Sequence, residues 1–234
     1  MSDFREFRHQ WTLLDADQRR AVLQWLEGLD DVREGAHRVE EPPPAYAATK
    51  PSYMTLEEFF SLQERSPLPY EYVNGVIRAM SGPSVAHGGI CRNIFLALGK
   101  HLRGKPCEPF FAGIQLKLEL GEDQITYLPD VVVSCDRSAW HEKWIPNPKL
   151  VVEVLSPSTQ NIDRREKLVN YCRVPSMEEY VIAAQRSAEL TIYRRAEDWQ
   201  PDVVVGLRAV AEFRSLDLQV PLADIYERVR LAHE

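Results

Sequence analysis

Tyr127-Leu128-Pro129-Asp130-Val131-Val132-Val133 and, after a connecting loop, Leu150-Val151-Val152-Glu153-Val154-Leu155 are the stretches whose reading decides the fold. Short valine-rich runs of this length predict core strands, with Ile125–Ser134 forming one and Leu150–Leu155 the other. Each run is interrupted by one acid. Side chains alternate faces along a strand, which puts Asp130 with Leu128 and Val132, and Glu153 with Val151 and Leu155. A carboxylate on such a face is costly unless something pairs with it. The same cost arises twice, on two strands whose connecting loop lets them pair. A divalent cation held by both carboxylates removes it, and Mg²⁺ suits a site of hard oxygen ligands. The plainer alternative for either acid is a buried ion pair or an edge strand facing water.

Working outward toward the C-terminus, residues 159–173 predict a helix. It carries Asn161-Ile162-Asp163-Arg164-Arg165-Glu166-Lys167-Leu168. Asp163 and Lys167 are four apart, so one reading is a surface ion pair. The other is that Lys167 reaches the two acids and stabilises charge on an attacking water or on a phosphoryl transition state. Arg164, Arg165 and Arg173 would then form a basic rim for phosphate contacts. Ser156-Pro157-Ser158-Thr159 reads as a helix cap. Strands are expected at Tyr180–Ala184 and Glu189–Arg194. The last forty residues predict one or two more strands and a short helix around Leu222–Val229.

Toward the N-terminus, Ala112–Leu120 alternates apolar and polar residues as a half-buried strand does. Val85–Leu102 predicts a long buried helix striped by Ile90, Ile94, Ala97 and Leu98. His87 opens that helix beside Gly88 and Gly89. It is read as structural, or as a base or substrate contact. Tyr70–Met80 is a hairpin around Asn74-Gly75, a pair that tolerates the positive φ of a tight turn. In that hairpin Glu71 faces Arg78, so Glu71 either pairs with the arginine or completes a metal shell. Thr55 and Glu58 form the pattern of a capping box.

Residues 1–41 predict a helical N-terminal extension, with Phe4, Phe7, Trp11 and Leu14 at helical spacing. The Pro-rich stretch 42–52 reads as a linker, and 53–234 as the main domain. The order of elements predicts an α/β fold, a mixed sheet core flanked by helices. No G-x-G-x-x-G, P-loop or G-x-S-x-G motif is present, which argues against dinucleotide binding, phosphate-loop chemistry and serine hydrolysis.

The bulk numbers are those of a globular chain: 234 residues, 44% hydrophobic and 27% charged. The net charge of -7 argues against a general nucleic-acid coat, since that binding is driven by phosphate neutralisation. Carboxylates that hold a metal add to the negative count without repelling the substrate once the metal is bound. The four cysteines (Cys91, Cys107, Cys135, Cys172) are far apart in sequence. They are expected as free thiols in a reducing cytoplasm. No membrane span and no signal peptide are read.

Tyr70–Gly75, Ser81–His87, Leu128–Val133, Val151–Thr159, Asp163–Leu168 and Tyr180–Ile182, in this order and spacing, resemble the Uma-type restriction-endonuclease family. That family lies within the PD-(D/E)xK nuclease superfamily. The resemblance covers about residues 53–229. It implies a restriction-endonuclease-like fold, Mg²⁺-dependent hydrolysis of phosphodiester bonds in nucleic acid (DNA, with Mn²⁺ as a substitute metal) and a homodimer. Carried over by position, it places Glu71, Asp130, Glu153 and Lys167 in the active site, with Asp130, Glu153 and Glu71 toward the metal. From the reading of the residues themselves, Arg164, Arg165, Arg173 and His87 are expected toward the nucleic acid. One departure stands out: the lysine expected two residues after the second acid is Leu155 here, and the resemblance puts it on the next helix, at Lys167. The rival expectation is a nuclease-fold dimer without turnover, serving as a nucleic-acid-binding or scaffold protein. A phosphoesterase acting on small molecules is a third.

Overall fold

The structure is a computed structural model that describes residues 53–80, 82–111, 113–156 and 159–231. The expected N-terminal helical extension (1–41) and linker (42–52) lie outside the described residues. The fold is of the expected class, a mixed α/β core flanked by helices.

The chain enters through helix α1 (Leu56–Arg65), whose Thr55 accepts from the Glu58 amide while Glu58 accepts from Thr55 N in return. This reciprocal cap satisfies two amides that a helix start leaves open. Strands β1 (Tyr70–Val73) and β2 (Val76–Ala79) follow. Asn74 and Gly75, at φ of 47° and 93°, make the expected turn between them. Gly75 is required twice over, because a Cβ there would also stand 3.2 Å from the Tyr53 ring. Helix α2 (Val85–Leu102) buries Ile90, Cys91, Ile94, Leu98 and Leu102 as one stripe.

Strands β3 (Glu108–Phe111), β4 (Gln115–Leu120), β5 (Asp123–Tyr127), β6 (Val131–Ser134), β7 (Trp144–Ile145) and β8 (Pro148–Val154) come next. The run expected as one strand over 125–134 is therefore two. It breaks at Leu128-Pro129-Asp130, where proline removes an amide that a continuing ladder needs. The break also changes sheets. Strand β5 belongs to a five-stranded sheet ordered β2-β1-β5-β4-β7, and β6 to a six-stranded sheet. The second sheet is completed by β9 (Glu179–Ala183), β10 (Glu189–Arg194) and β11 (Pro201–Val205), in the order β11-β10-β9-β8-β6-β3. As expected, β6 and β8 are neighbours, antiparallel with Val131 opposite Val152.

The helix expected at 159–173 is interrupted. Helix α3 (Gln160–Ile162) passes through a π-helical stretch at Asp163–Lys167 into helix α4 (Leu168–Arg173). Ser156 Oγ accepts from Thr159 N at 3.2 Å, so Ser156 does serve to shape this helix start. The C-terminal part holds one strand more than the one or two expected. After β11 come β12 (Val210–Phe213) and β13 (Leu218–Pro221), then the single turn α5 (Leu222–Ile225).

Two apolar layers sandwich the six-stranded sheet. On one face Val131, Val133, Leu150, Val152 and Val154 pack against α2 and the C-terminal elements. On the other, Val132, Val151 and Ile182 pack against the five-stranded sheet and α4. Polar side chains that lie between the two sheets are buried with that second layer.

One expectation is corrected outright. Cys107 and Cys135 form a disulfide, while Cys91 and Cys172 are free and buried. Strands β3 and β6 pair with Glu108 opposite Ser134, so the next residues outward on each strand are these two cysteines. The pairing depends on sheet register, which their spacing of 28 residues does not reveal. Among the described residues, no helix is long and apolar enough to cross a membrane.

Candidate active site

The site forms where β1 of one sheet, β8 of the other and the π-helical stretch converge. At its centre is Lys167. Its Nζ lies 2.8 Å from Glu71 Oε1, 3.0 Å from Glu153 Oε1 and 3.2 Å from Asp163 Oδ1. These four side chains are 1–4% exposed, so one ammonium faces three buried carboxylates. Burial alone would lower the Lys167 pKa, but Glu153, Glu71 and Asp163 outweigh it and hold the group well above its ordinary value. Burial pushes the Glu153 carboxyl well up; Lys167 pulls it back, and Asp163, Asp130 and Glu71 push it further. Asp163 is raised for the same leading reason. Its Oδ1 touches the lysine as a charge contact but makes no hydrogen bond.

The remaining bonds hold these groups in place. Tyr171 Oη donates to Glu153 Oε1 at 3.2 Å. Tyr180 Oη donates to the Asp163 carbonyl at 2.9 Å, anchoring the π-helical stretch from β9. Leu128 N donates to Glu71 Oε1 at 3.3 Å, which ties β1 to the sheet-changing break.

Asp130 stands at the start of β6 and is not part of a regular strand face shared with Leu128 and Val132, as the break dictates. Its Oδ2 accepts from Val154 N at 2.7 Å, one residue beyond Glu153. The same oxygen is 3.1 Å from His87 Nε2. His87 Nδ1 lies 3.5 Å from Cys91 Sγ, one helical turn on. Burial pushes the Cys91 thiol up, and Asp130 and Glu153 push it further. The two ring nitrogens thus face different partners, Nδ1 the Cys91 sulfur and Nε2 the Asp130 carboxylate. His87, Cys91 and Asp130 present ligand atoms within 4.8 Å of one another. The acids around Lys167 offer hard oxygen donors, with the ammonium between them.

A cleft of about 390 Å³ opens onto these residues. Its lining includes His87, Asp130, Glu153, Asp163 and Lys167, so both acids singled out in the sequence border one space. Glu71 reaches the same lysine from behind. Arg78 is opposite Glu71 in register, as the hairpin requires, but its guanidinium goes to Glu166, which also accepts from Tyr127 Oη at 2.7 Å. The Asp163–Lys167 pair does form, in the interior instead of on the surface. Arg164 and Arg165 are exposed on the π-helical stretch. Arg173 is held elsewhere, by Asp123 at 2.8 Å and the Leu120 carbonyl at 2.9 Å.

Three members of the cluster carry no functional signal in the sequence. Asp163, four residues before Lys167, reads in sequence as its surface partner, and the same spacing carries it inward once Lys167 is buried. Tyr171 and Tyr180 gave no local signal, since a tyrosine in an apolar face is ordinary core until its hydroxyl is seen to meet an acid.

Known proteins resemble this chain in both sequence and shape. Two uncharacterized proteins of the cyanobacterium Synechocystis sp. (strain PCC 6803) align with it. The first, slr1290, is 36% identical over 143 residues, covering 61% of this chain and 74% of its own. The second, sll1609, is 25% identical over 165 residues, 68% of this chain and 92% of its own. The crystal structure of a "putative nuclease belonging to DUF820" from Anabaena variabilis superposes with a TM-score of 0.61 at 17% identity. It covers 74% of this chain and 97% of that one, a likeness of fold. Residues 56–223 match the profile of the Uma2 family, described as "Putative restriction endonuclease", and the chain belongs to that family.

Proposed function

We propose that this chain is a Mg²⁺-dependent endonuclease that hydrolyses phosphodiester bonds in DNA, accepts Mn²⁺ in place of Mg²⁺, and works as a homodimer in the cytoplasm. The observation that carries this is the charge imbalance: one lysine against Glu71, Glu153 and Asp163, with Asp130 on the same cleft. Buried negative charge in excess of its counter-charge is unstable by itself and calls for a proton or a cation. The residues fit a hard divalent cation. They are oxygen donors, and Asp163 Oδ1 is buried without a hydrogen bond. Asp130, Glu153 and Glu71 are the ligand candidates. When bound, such a cation supplies Lewis acidity, activating water near neutral pH and neutralising charge on the phosphate.

The chain's own residues do the rest. Lys167, held charged by its three acids, places a fixed positive charge beside the reacting phosphate and stabilises the negative charge that develops there. Glu71 and Asp163 position that ammonium, and Tyr171 fixes the Glu153 oxygen that it shares. His87 orients Asp130 through Nε2. In this reading Arg164 and Arg165, exposed on the π-helical stretch, contact phosphates of the bound strand. Arg173, engaged with Asp123, has the weakest support among the expected nucleic-acid contacts.

The test is cleavage. Purified protein with Mg²⁺ or Mn²⁺ is expected to cut plasmid or single-stranded DNA, and Asp130→Ala to abolish the cutting. Persistent absence of cleavage by the wild type, or cleavage untouched by Asp130→Ala, would sink the proposal.

A further inference from the structure

Phe111 ends strand β3 at the edge of the six-stranded sheet, opposite Val131 and hence one residue from Asp130. Its ring packs on Phe95 of α2 at 5.5 Å between centroids, yet 41% of the residue stays exposed. A large aromatic held on one side and open on the other is a platform. It borders the cleft that holds Asp130, Glu153 and Lys167, together with Pro69, Met80, Pro83 and Leu128.

The lining therefore mixes acidic and apolar residues. Among its described residues, Lys167 is the one lysine or arginine, and its ammonium is already engaged by three acids. A duplex is gripped mainly through its phosphates by basic side chains, and this cleft offers little of that. An apolar cavity of about 390 Å³ with a few polar groups instead matches the scale at which pockets enclose a small molecular unit. Bases of a single strand are held by stacking on aromatic rings, a contact any base can make. Ser84 and Gln185 on the same cleft are bonded to each other at 2.6 Å, and Gln185 Nε2 donates to the Leu155 carbonyl at 2.7 Å, so the pair forms a fixed polar edge of the cleft.

We infer that the cleft takes one unpaired nucleobase of a DNA strand, stacked on Phe111, so that the strand is presented to the acids single-stranded or locally unpaired. This inference rests on the reading of the cleft as a nucleic-acid site. It names the form of the substrate, with Phe111 as a binding residue.

The test is equilibrium binding of a 2-aminopurine-containing single strand and of the same strand in duplex. Ca²⁺ replaces Mg²⁺ so that nothing is turned over. The single strand is expected to bind at least about ten-fold more tightly and its fluorescence to change on binding. Phe111→Ala should weaken single-strand binding by about five- to hundred-fold, the range of one lost base stack, and remove the fluorescence change. Phe111→Trp should restore both. Equal or tighter duplex binding, no binding of either, or Phe111→Ala with affinity and signal intact overturns the inference. A strand that binds and reports through Phe111 but is never cut with Mg²⁺ supports it and contradicts the hydrolytic reading instead.

Discussion

Glu153 and Glu179 sit on neighbouring parallel strands, both almost completely buried, and each meets a cation. They are otherwise opposites. Glu179 accepts from Arg194 Nε at 3.1 Å, from the amides of Arg214 and Ser215 at 2.9 and 3.1 Å, and from Ser215 Oγ at 2.5 Å. Arg194 continues to Glu197 and Asp202, which are 33% and 44% exposed, and Arg214 adds a second cation at Glu197. That network is closed: its buried acid is fully bonded and its other acids face water. Around Glu153 the acids are buried together, a single lysine serves three of them, and Asp163 keeps an oxygen without a hydrogen bond. A buried charge is thus no sign of a functional site by itself. What marks the second cluster is charge left over after every local partner has been used.

The largest effect should come from removing an acid on the cleft. Asp130→Asn or Glu153→Gln is expected to slow plasmid cleavage by about a thousand-fold or more, since the metal's share of transition-state stabilisation is several kcal/mol. Gel assays of nicked and linear product would measure it; near-normal rates would erase the distinction between the clusters. Next in size is the structural cluster. Glu179→Ala leaves Arg194 buried without its central partner and should cost about 3–5 kcal/mol in urea unfolding. Cleavage per folded molecule should not change.

A sharper comparison lies in stability at the first cluster. Glu153→Gln removes surplus charge while keeping an oxygen that accepts from Lys167 and Tyr171. We expect metal-free stability to change by less than about 1 kcal/mol, or to rise, against the several kcal/mol usual for breaking a buried pair. A loss as large as that of Glu179→Ala would mean that Glu153 is an ordinary structural partner. A control lies away from both clusters. Thr55→Ala should cost about 1 kcal/mol through the lost cap on α1, with cleavage and metal affinity unchanged.

Much of the fold was legible because its signals are local. Asn74-Gly75 announces its turn, Thr55 and Glu58 their cap, and the α2 stripe its buried face. The pairing of β6 with β8 followed from two valine runs that each needed a covered face. What escaped depends on contacts distant in sequence. The change of sheets at Pro129 looks, along the chain, like one uninterrupted apolar run. The Cys107–Cys135 bond follows from the register of β3 on β6. Glu71 has two even readings in sequence, a pair with Arg78 or a place in a metal shell. Arg78 faces it in register but is drawn to Glu166, and Lys167 arrives from a segment nearly a hundred residues away. At the candidate site the acids were conspicuous as charges inside apolar runs, whereas Asp163, Tyr171 and Tyr180 acquire meaning through what their polar atoms touch.

The central claim is that the charge surplus around Lys167 marks the place of a divalent cation. Isothermal titration of metal-free protein with Mg²⁺, and with Mn²⁺ for a stronger signal, tests it directly. The account predicts saturable binding by the wild type that is retained in Glu179→Gln and lost in Glu153→Gln. No binding by the folded wild type, or binding that Glu153→Gln leaves unchanged, would contradict it.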